Sequence, residues 1–199
     1  MRIHPLFPSP LVEYHSSDKI CSLLKRDCER QEYKLNSDEG SYASINLKVL
    51  SKLNEVRSVI LGIFHQYAQD SLDYDGQFKI STSWYTKVEN KSSSHYHHHK
   101  NSFYSGIIYF DQYQREDEGF LYLLNPLEKY TDFFIKPNKS NPLNTHLTII
   151  PPEYNKLIFF PSYISHKIGE FKGKVRYSLA FNIVPKGEYG DGDSSMFIQ

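Results

Sequence analysis

From Gln77 onward the chain is a succession of short runs rich in Phe, Tyr, Ile, Val and Thr, separated by turn residues. Side chains on a strand alternate faces, so runs of this kind bury their apolar side only by assembling into packed sheets. The runs fall at residues 78–88, 96–99, 103–110, 119–124, 146–150, 156–160, 166–171 and 175–184. About eight short strands of this spacing predict a mainly β fold, a double-sheet roll or barrel. The 16 Tyr and 13 Phe give it a core of large rings, many keeping a hydroxyl near water or a ligand.

Two helical stretches precede the strands. Ser16, Ser17 and Asp18 offer caps for a helix whose Ile20, Leu23, Leu24 and Cys28 recur at helical spacing. In the second, Asn46 is the expected cap, and Leu53, Val56, Ile60, Phe64 and Tyr67 trace one stripe to about Asp70. Both stripes predict packing against a sheet. With no internal repeat and no linker, the expectation is one domain over residues 1–199. It comprises a helical flank at 1–76, a rolled core at 77–186 and a Gly-, Asp- and Ser-rich tail at 187–199, expected to be mobile.

Charge and cysteine content narrow the classes of function. The 23 Lys and Arg balance 23 Asp and Glu, so the chain lacks the basic excess of a protein that tracks nucleic-acid phosphates. No run has the apolar length of a signal peptide or of a membrane helix, so no membrane partner is expected. Cys21 and Cys28 lie on one helix face but too far apart along its axis to bridge, which predicts reduced thiols and a cytoplasmic setting.

The chemistry concentrates in histidines and one arginine. In an extended segment His95, His97 and His99 share a face, and His-x-His places two imidazoles where one metal ion can join them. A solvated polar loop accounts equally well for this cluster taken alone. Far along the chain, Lys156-Leu-Ile-Phe-Phe-Pro-Ser-Tyr-Ile-Ser-His166 reads as a buried strand, a Pro-marked turn and a lone histidine. Ten residues later Arg176, Ser178, Ala180 and Asn182 share one face of the last strand, while Tyr177, Leu179, Phe181 and Ile183 share the other. An arginine on such a strand needs a partner, either an internal acid or a bound dicarboxylate gripped by the guanidinium fork.

Taken together, His97-x-His99, Ser105-Gly-Ile-Ile-Tyr109, Phe159-Phe160-Pro161 leading to His166, and Arg176-x-Ser178 resemble the iron(II)- and 2-oxoglutarate-dependent oxygenases. More narrowly, the chain is similar to short oxygenase-like proteins of phages of marine bacteria, including its opening Ile3-His-Pro-Leu-Phe-Pro-Ser-Pro. The resemblance is dense from Trp84 to Asn182. It implies a double-stranded β-helix, a cupin-like jelly-roll with flanking N-terminal helices. It also implies an enzyme that hydroxylates a small molecule or protein side chain, using iron(II) and 2-oxoglutarate and releasing succinate and carbon dioxide. By position, His97, His99 and His166 would hold the metal. Arg176, Ser178 and Tyr109 would receive the distal carboxylate of 2-oxoglutarate.

One departure stands out: His99 occupies the place where relatives usually carry Asp or Glu. A third imidazole brings no negative charge, so the metal site would be one unit more positive. Asp111 is an alternative source of the carboxylate, and His95 with His97 an alternative pair. Two rival functions follow, a non-catalytic cupin-like binding module with Arg176 in an internal ion pair, and a three-histidine cupin-type dioxygenase. Trp84, Tyr85 and Tyr104 are the candidates for the pocket wall, with only one of the neighbours Trp84 and Tyr85 able to face inward.

Overall fold

The computed structural model describes residues 1–4, 7–36, 40–127 and 135–199. Its elements run β1 (Val12–His15), α1 (Asp18–Cys28), β2 (Tyr33–Leu35), β3 (Ser41–Ser44), α2 (Asn54–Leu72), β4 (Gln77–Glu89), β5 (Tyr104–Tyr109), β6 (Leu121–Leu124), β7 (Leu147–Ile150), β8 (Lys156–Pro161), β9 (His166–Ile168), β10 (Val175–Tyr189) and β11 (Met196–Ile198). A large antiparallel sheet has the order β1-β8-β5-β10-β4-β3-β2, with β11 against the far end of β10. A small sheet, β7-β6-β9, faces it. The fold is mainly β, as the strand pattern predicts, with the two helices covering the large sheet on its other side.

Strand alternation explains how one sheet serves both neighbours. Tyr85, Ile108, Leu157, Phe159, Leu179, Phe181 and Ile183 point toward the helices and join a core with Leu24, Val56, Ile60 and Phe64. Phe64 is its hub, with rings of Phe78, Tyr104 and Phe159 centred 5.0, 5.2 and 5.5 Å away. The opposite faces carry Ile107, Ile158 and Phe160, which pack on Leu121, Leu123 and Ile150 of the small sheet. Register then lays the inner face out in rows: Thr82, Asn182, Ser105 and Phe160; Trp84, Ala180, Ile107 and Ile158; Thr86, Ser178 and Tyr109; Val88 and Arg176. Apolar rows thus give way to polar ones at both ends.

Several boundaries differ from the sequence reading, each for a local reason. Ser17 caps α1 by accepting the Ile20 N–H, but Asn46 caps only a turn, accepting from Lys48 N. A 3-10 turn at Val49–Ser51 intervenes, so α2 begins at Asn54. Residues 96–99 form no strand; only His97 pairs, bridging to His166. β1, β2 and β3 lie outside the strands the sequence predicts, because each is only three or four residues long and none shows a clean alternation. The 187–199 tail is ordered as a hairpin: β10 continues to Tyr189, Gly190 and Gly192 turn the chain at positive φ, and β11 pairs back. The opening motif lies partly outside the described residues at 5 and 6. No helix among the described residues is long and apolar enough to cross a membrane.

The closest approach in the large sheet is at Gly106 of β5. A Cβ there would lie 2.3 Å from Phe181 Cζ and 2.8 Å from the Ile158 carbonyl oxygen. The ring is fully buried and the carbonyl belongs to the ladder, so neither can yield cheaply. Gly106→Ala is expected to destabilise the fold by about 1–3 kcal/mol, measured by chemical denaturation.

Candidate metal centre and its cavity

Two segments meet at one backbone bridge. His97 N donates to the His166 carbonyl at 3.0 Å, and His166 N donates to the His97 carbonyl at 2.8 Å. Two residues on, His99 N donates to the Ser162 carbonyl at 3.1 Å. These bonds draw His97, His99 and His166 together, with one ligand atom of each within 4.8 Å of the others. Ring centroids lie 4.4 Å apart for His97 and His166, and 5.2 Å for each pair involving His99. Among the described residues no carboxylate belongs to this group.

The imidazoles are prepared as ligands. His166 Nδ1 lies 2.9 Å from the Ile164 carbonyl and His97 Nδ1 lies 2.9 Å from the His95 carbonyl. A carbonyl only accepts, so each Nδ1 carries the proton and each Nε2 presents its lone pair. Burial pulls His166 down to about 3, with the neighbouring imidazoles adding to the effect. His99 is pulled down to about 4 by burial, then by His97 and His98. Neutral imidazole is the form that binds a metal. Phe160 flanks His166 at 4.9 Å and Trp84 flanks His99 at 5.5 Å between ring centroids, shielding the inner side of the cluster.

The cluster opens into a cavity of about 280 Å³ between the two sheets, whose floor includes Trp84, Thr86, Ser178 and Ala180. Beyond Ser178 on the same face lies Arg176, 2% exposed. Its Nη1 and Nη2 both donate to the Gly119 carbonyl at 3.2 Å, and its guanidinium sits 5.1 Å from the Phe171 ring centroid and 5.7 Å from that of Tyr109. Among the described residues its Nε has no hydrogen-bond partner and no acid forms an ion pair with it. Burial lowers its pKa, and it raises that of fully enclosed Tyr109 to about 12 against the opposing pull of the guanidinium. A buried guanidinium with a spare donor suits an anionic group.

The remaining candidates separate cleanly. Asp111 is remote from the histidines: Oδ1 accepts from Lys25 Nζ at 2.6 Å and Oδ2 from Tyr177 N at 2.7 Å. His95 stays outside the cluster, with its carbonyl bonded to His97 Nδ1, because residues 95–99 do not form the alternating strand expected. Trp84 faces the cavity, whereas Tyr85 and Tyr104 face the helices, bonded to Asp27 and to the Tyr67 hydroxyl. The cavity mouth also draws Asn36, Ser41 and Ala43 from the β2–β3 hairpin, which no periodicity in the sequence marks. A larger groove of about 640 Å³ lies beyond Phe160, between residues 7–11 and 123–127, but none of its described lining residues is titratable. The smaller cavity is therefore the candidate site.

Comparisons with known proteins give a family and a shared fold. Residues 82–182 match the family described as "Putative 2OG-Fe(II) oxygenase". No curated protein sequence matches the chain. A prolyl-4-hydroxylase from Pseudomonas putida shares the fold at a TM-score of 0.65 with 14% identity, covering 89% of this chain and 93% of that one. HygX from Streptomyces hygroscopicus, solved with nickel and 2-oxoglutarate, gives 0.63 with 7% identity over 89% and 83% of the two chains. A viral collagen prolyl hydroxylase from Paramecium Bursaria Chlorella virus-1, solved with 2-oxoglutarate, gives 0.60 with 11% identity over 87% and 94%.

Trp84 is the single tryptophan and stands beside His99, so its emission reports on the cluster. Titration with a paramagnetic divalent ion under anaerobic conditions is expected to quench that emission at one ion per chain. His166→Ala is expected to weaken the quench by at least about tenfold in metal concentration, as loss of a ligand should.

Proposed function

The chain belongs to the 2OG-Fe(II) oxygenase family, and from that premise we propose that it is an iron(II)- and 2-oxoglutarate-dependent dioxygenase that hydroxylates its substrate with release of succinate and carbon dioxide. The observation that carries the reading is a three-imidazole cluster opening into a cavity floored by Ser178, with the buried guanidinium of Arg176 two residues along the same strand face and, among the described residues, a free donor and no acid partner. His97, His99 and His166 are the proposed metal ligands; one ring nitrogen of each lies within 4.8 Å of the others. Arg176 and Ser178 are the proposed seat of the distal carboxylate of 2-oxoglutarate. Tyr109, in register with Ser178, supports that end by holding its ring against the guanidinium.

Bound iron(II) would supply oxygen activation coupled to oxidative decarboxylation of the 2-oxo acid. The chain's own work is to hold and orient. Nδ1–H bonds to backbone carbonyls fix two imidazole rings, so no side-chain reorganisation is needed when a ligand arrives. The apolar row of Trp84, Ala180 and Ile107 gives the cavity an apolar wall on the large sheet. With three neutral imidazoles the protein contributes no charge to the metal, which leaves the dianionic cosubstrate and Arg176 to set the balance. The proposal takes residues 1–199 as one oxygenase domain acting in a cytoplasm, that of a host cell if its closest kin are the short phage oxygenases that its opening motif resembles. A small molecule or a protein side chain is its proposed substrate class; structural neighbours include prolyl hydroxylases and a protein solved with hygromycin B.

The third histidine in place of an acid also favours a second reading, a three-histidine cupin-type dioxygenase, which would have no use for Arg176. Anaerobic addition of iron(II) and then 2-oxoglutarate separates the two. The proposal predicts a weak visible charge-transfer band in the wild type, absent in His166→Ala. In Arg176→Ala the band should need at least about tenfold more 2-oxoglutarate, as loss of a charge-assisted contact implies. Iron binding without the band would contradict the proposal and favour the second reading. No iron binding would point to a non-catalytic module.

A further inference from the structure

Asp111 carries a carboxylate 13% exposed at the exit of β5, and its chemistry is spent on β10. The β5–β10 ladder ends at the pair Tyr109 and Ser178, after which the β5 chain departs through Phe110. The next N–H along β10, that of Tyr177, therefore lies past the end of the partner strand, and Asp111 Oδ2 accepts it at 2.7 Å. The other oxygen is held by Lys25 Nζ of α1 at 2.6 Å. The same ammonium sits 5.1 Å from the centroid of the Tyr177 ring, whose other neighbour is Tyr33 at 5.7 Å. Tyr177 is thus fixed through both its backbone and its ring, and it stands between Arg176 and Ser178.

We propose that Asp111, held by Lys25, is a positioning residue for the cosubstrate seat: it extends the ladder by one bond and so fixes the stretch of β10 that presents Arg176 and Ser178. The proposal rests on the functional reading above. A strand end with a free N–H frays, and a guanidinium displaced by about 1 Å loses much of its effect on a bound group. The clip acts on the seat and not on the histidines, which are tied to each other and to Ser162.

The test compares Asp111→Ala, Asp111→Asn and Lys25→Met with the wild type in three measurements. These are the metal titration read by Trp84 emission, 2-oxoglutarate binding to the manganese(II)-loaded protein, and hydrogen exchange of the Tyr177 amide. Asp111→Ala is expected to weaken 2-oxoglutarate binding about tenfold or more, to speed Tyr177 exchange and to leave the metal titration unchanged. Asp111→Asn retains an acceptor oxygen and should recover most of the affinity. Lys25→Met, which keeps the carboxylate in place, should fall between them and serves if Asp111→Ala does not fold. Unchanged 2-oxoglutarate affinity with faster Tyr177 exchange would reduce the clip to a structural bond and overturn the proposal. Loss of metal binding would overturn it by making Asp111 a ligand. Failure of the metal-loaded wild type to bind 2-oxoglutarate would overturn the functional reading and this proposal together.

Discussion

The structure of the site depends on two backbone hydrogen bonds, exchanged between His97 and His166. Among the described residues they are the only ladder contact made by the 96–99 segment, and they join a loop to the start of β9 across 69 residues of sequence. Each bond is modest in net energy, on the order of 1 kcal/mol. Their effect is geometric: with the backbones locked, two imidazoles have no choice but to face one another, and the His99 bond to Ser162 brings a third. His166 is the buried member of the three: burial pulls it down to about 3 against the upward pull of its hydrogen bond to the Ile164 carbonyl, which leaves a poor base and a ready ligand.

The large sheet supplies the second half of the site by simple alternation. β10 gives Leu179, Phe181 and Ile183 to the helical core, and by the same pleat it gives Ser178 and Ala180 to the cavity, with Arg176 next along that face. Burying an arginine costs several kcal/mol unless its donors are met. Here the Gly119 carbonyl meets two of them, aromatic faces lie on Cζ, and Nε is left over. Such a leftover donor is a strained residue in an apolar protein but a useful one in a site that takes an anion.

Much of this was legible in the sequence because it is written in period-two patterns. The faces of β4, β5, β8 and β10, the buried strand before His166 and the Arg176-x-Ser178 pair all follow from alternation. What escaped detection has no pattern to carry it. β1, β2 and β3 are too short for periodicity, so the mouth residues Asn36, Ser41 and Ala43 could not be anticipated. The 95–99 segment misled, because a run of histidines looks like a strand, whereas a single bridge residue and two loop carbonyls organise it. Asp111 misled differently: as a nearby acid it suggested a ligand, while its partner Lys25 lies 86 positions away and only the fold brings them together.

The central claim is that three imidazoles and one guanidinium grip a single assembly. Calorimetric titration of the protein with 2-oxoglutarate, with and without redox-inert manganese(II), tests it most directly. Two groups holding one ligand through a shared metal must be thermodynamically coupled, and the coupling is reciprocal. The account predicts that manganese(II) tightens 2-oxoglutarate binding by at least about fivefold, and 2-oxoglutarate tightens manganese(II) binding by the same factor. Equal 2-oxoglutarate affinity in the presence and absence of the metal would contradict it.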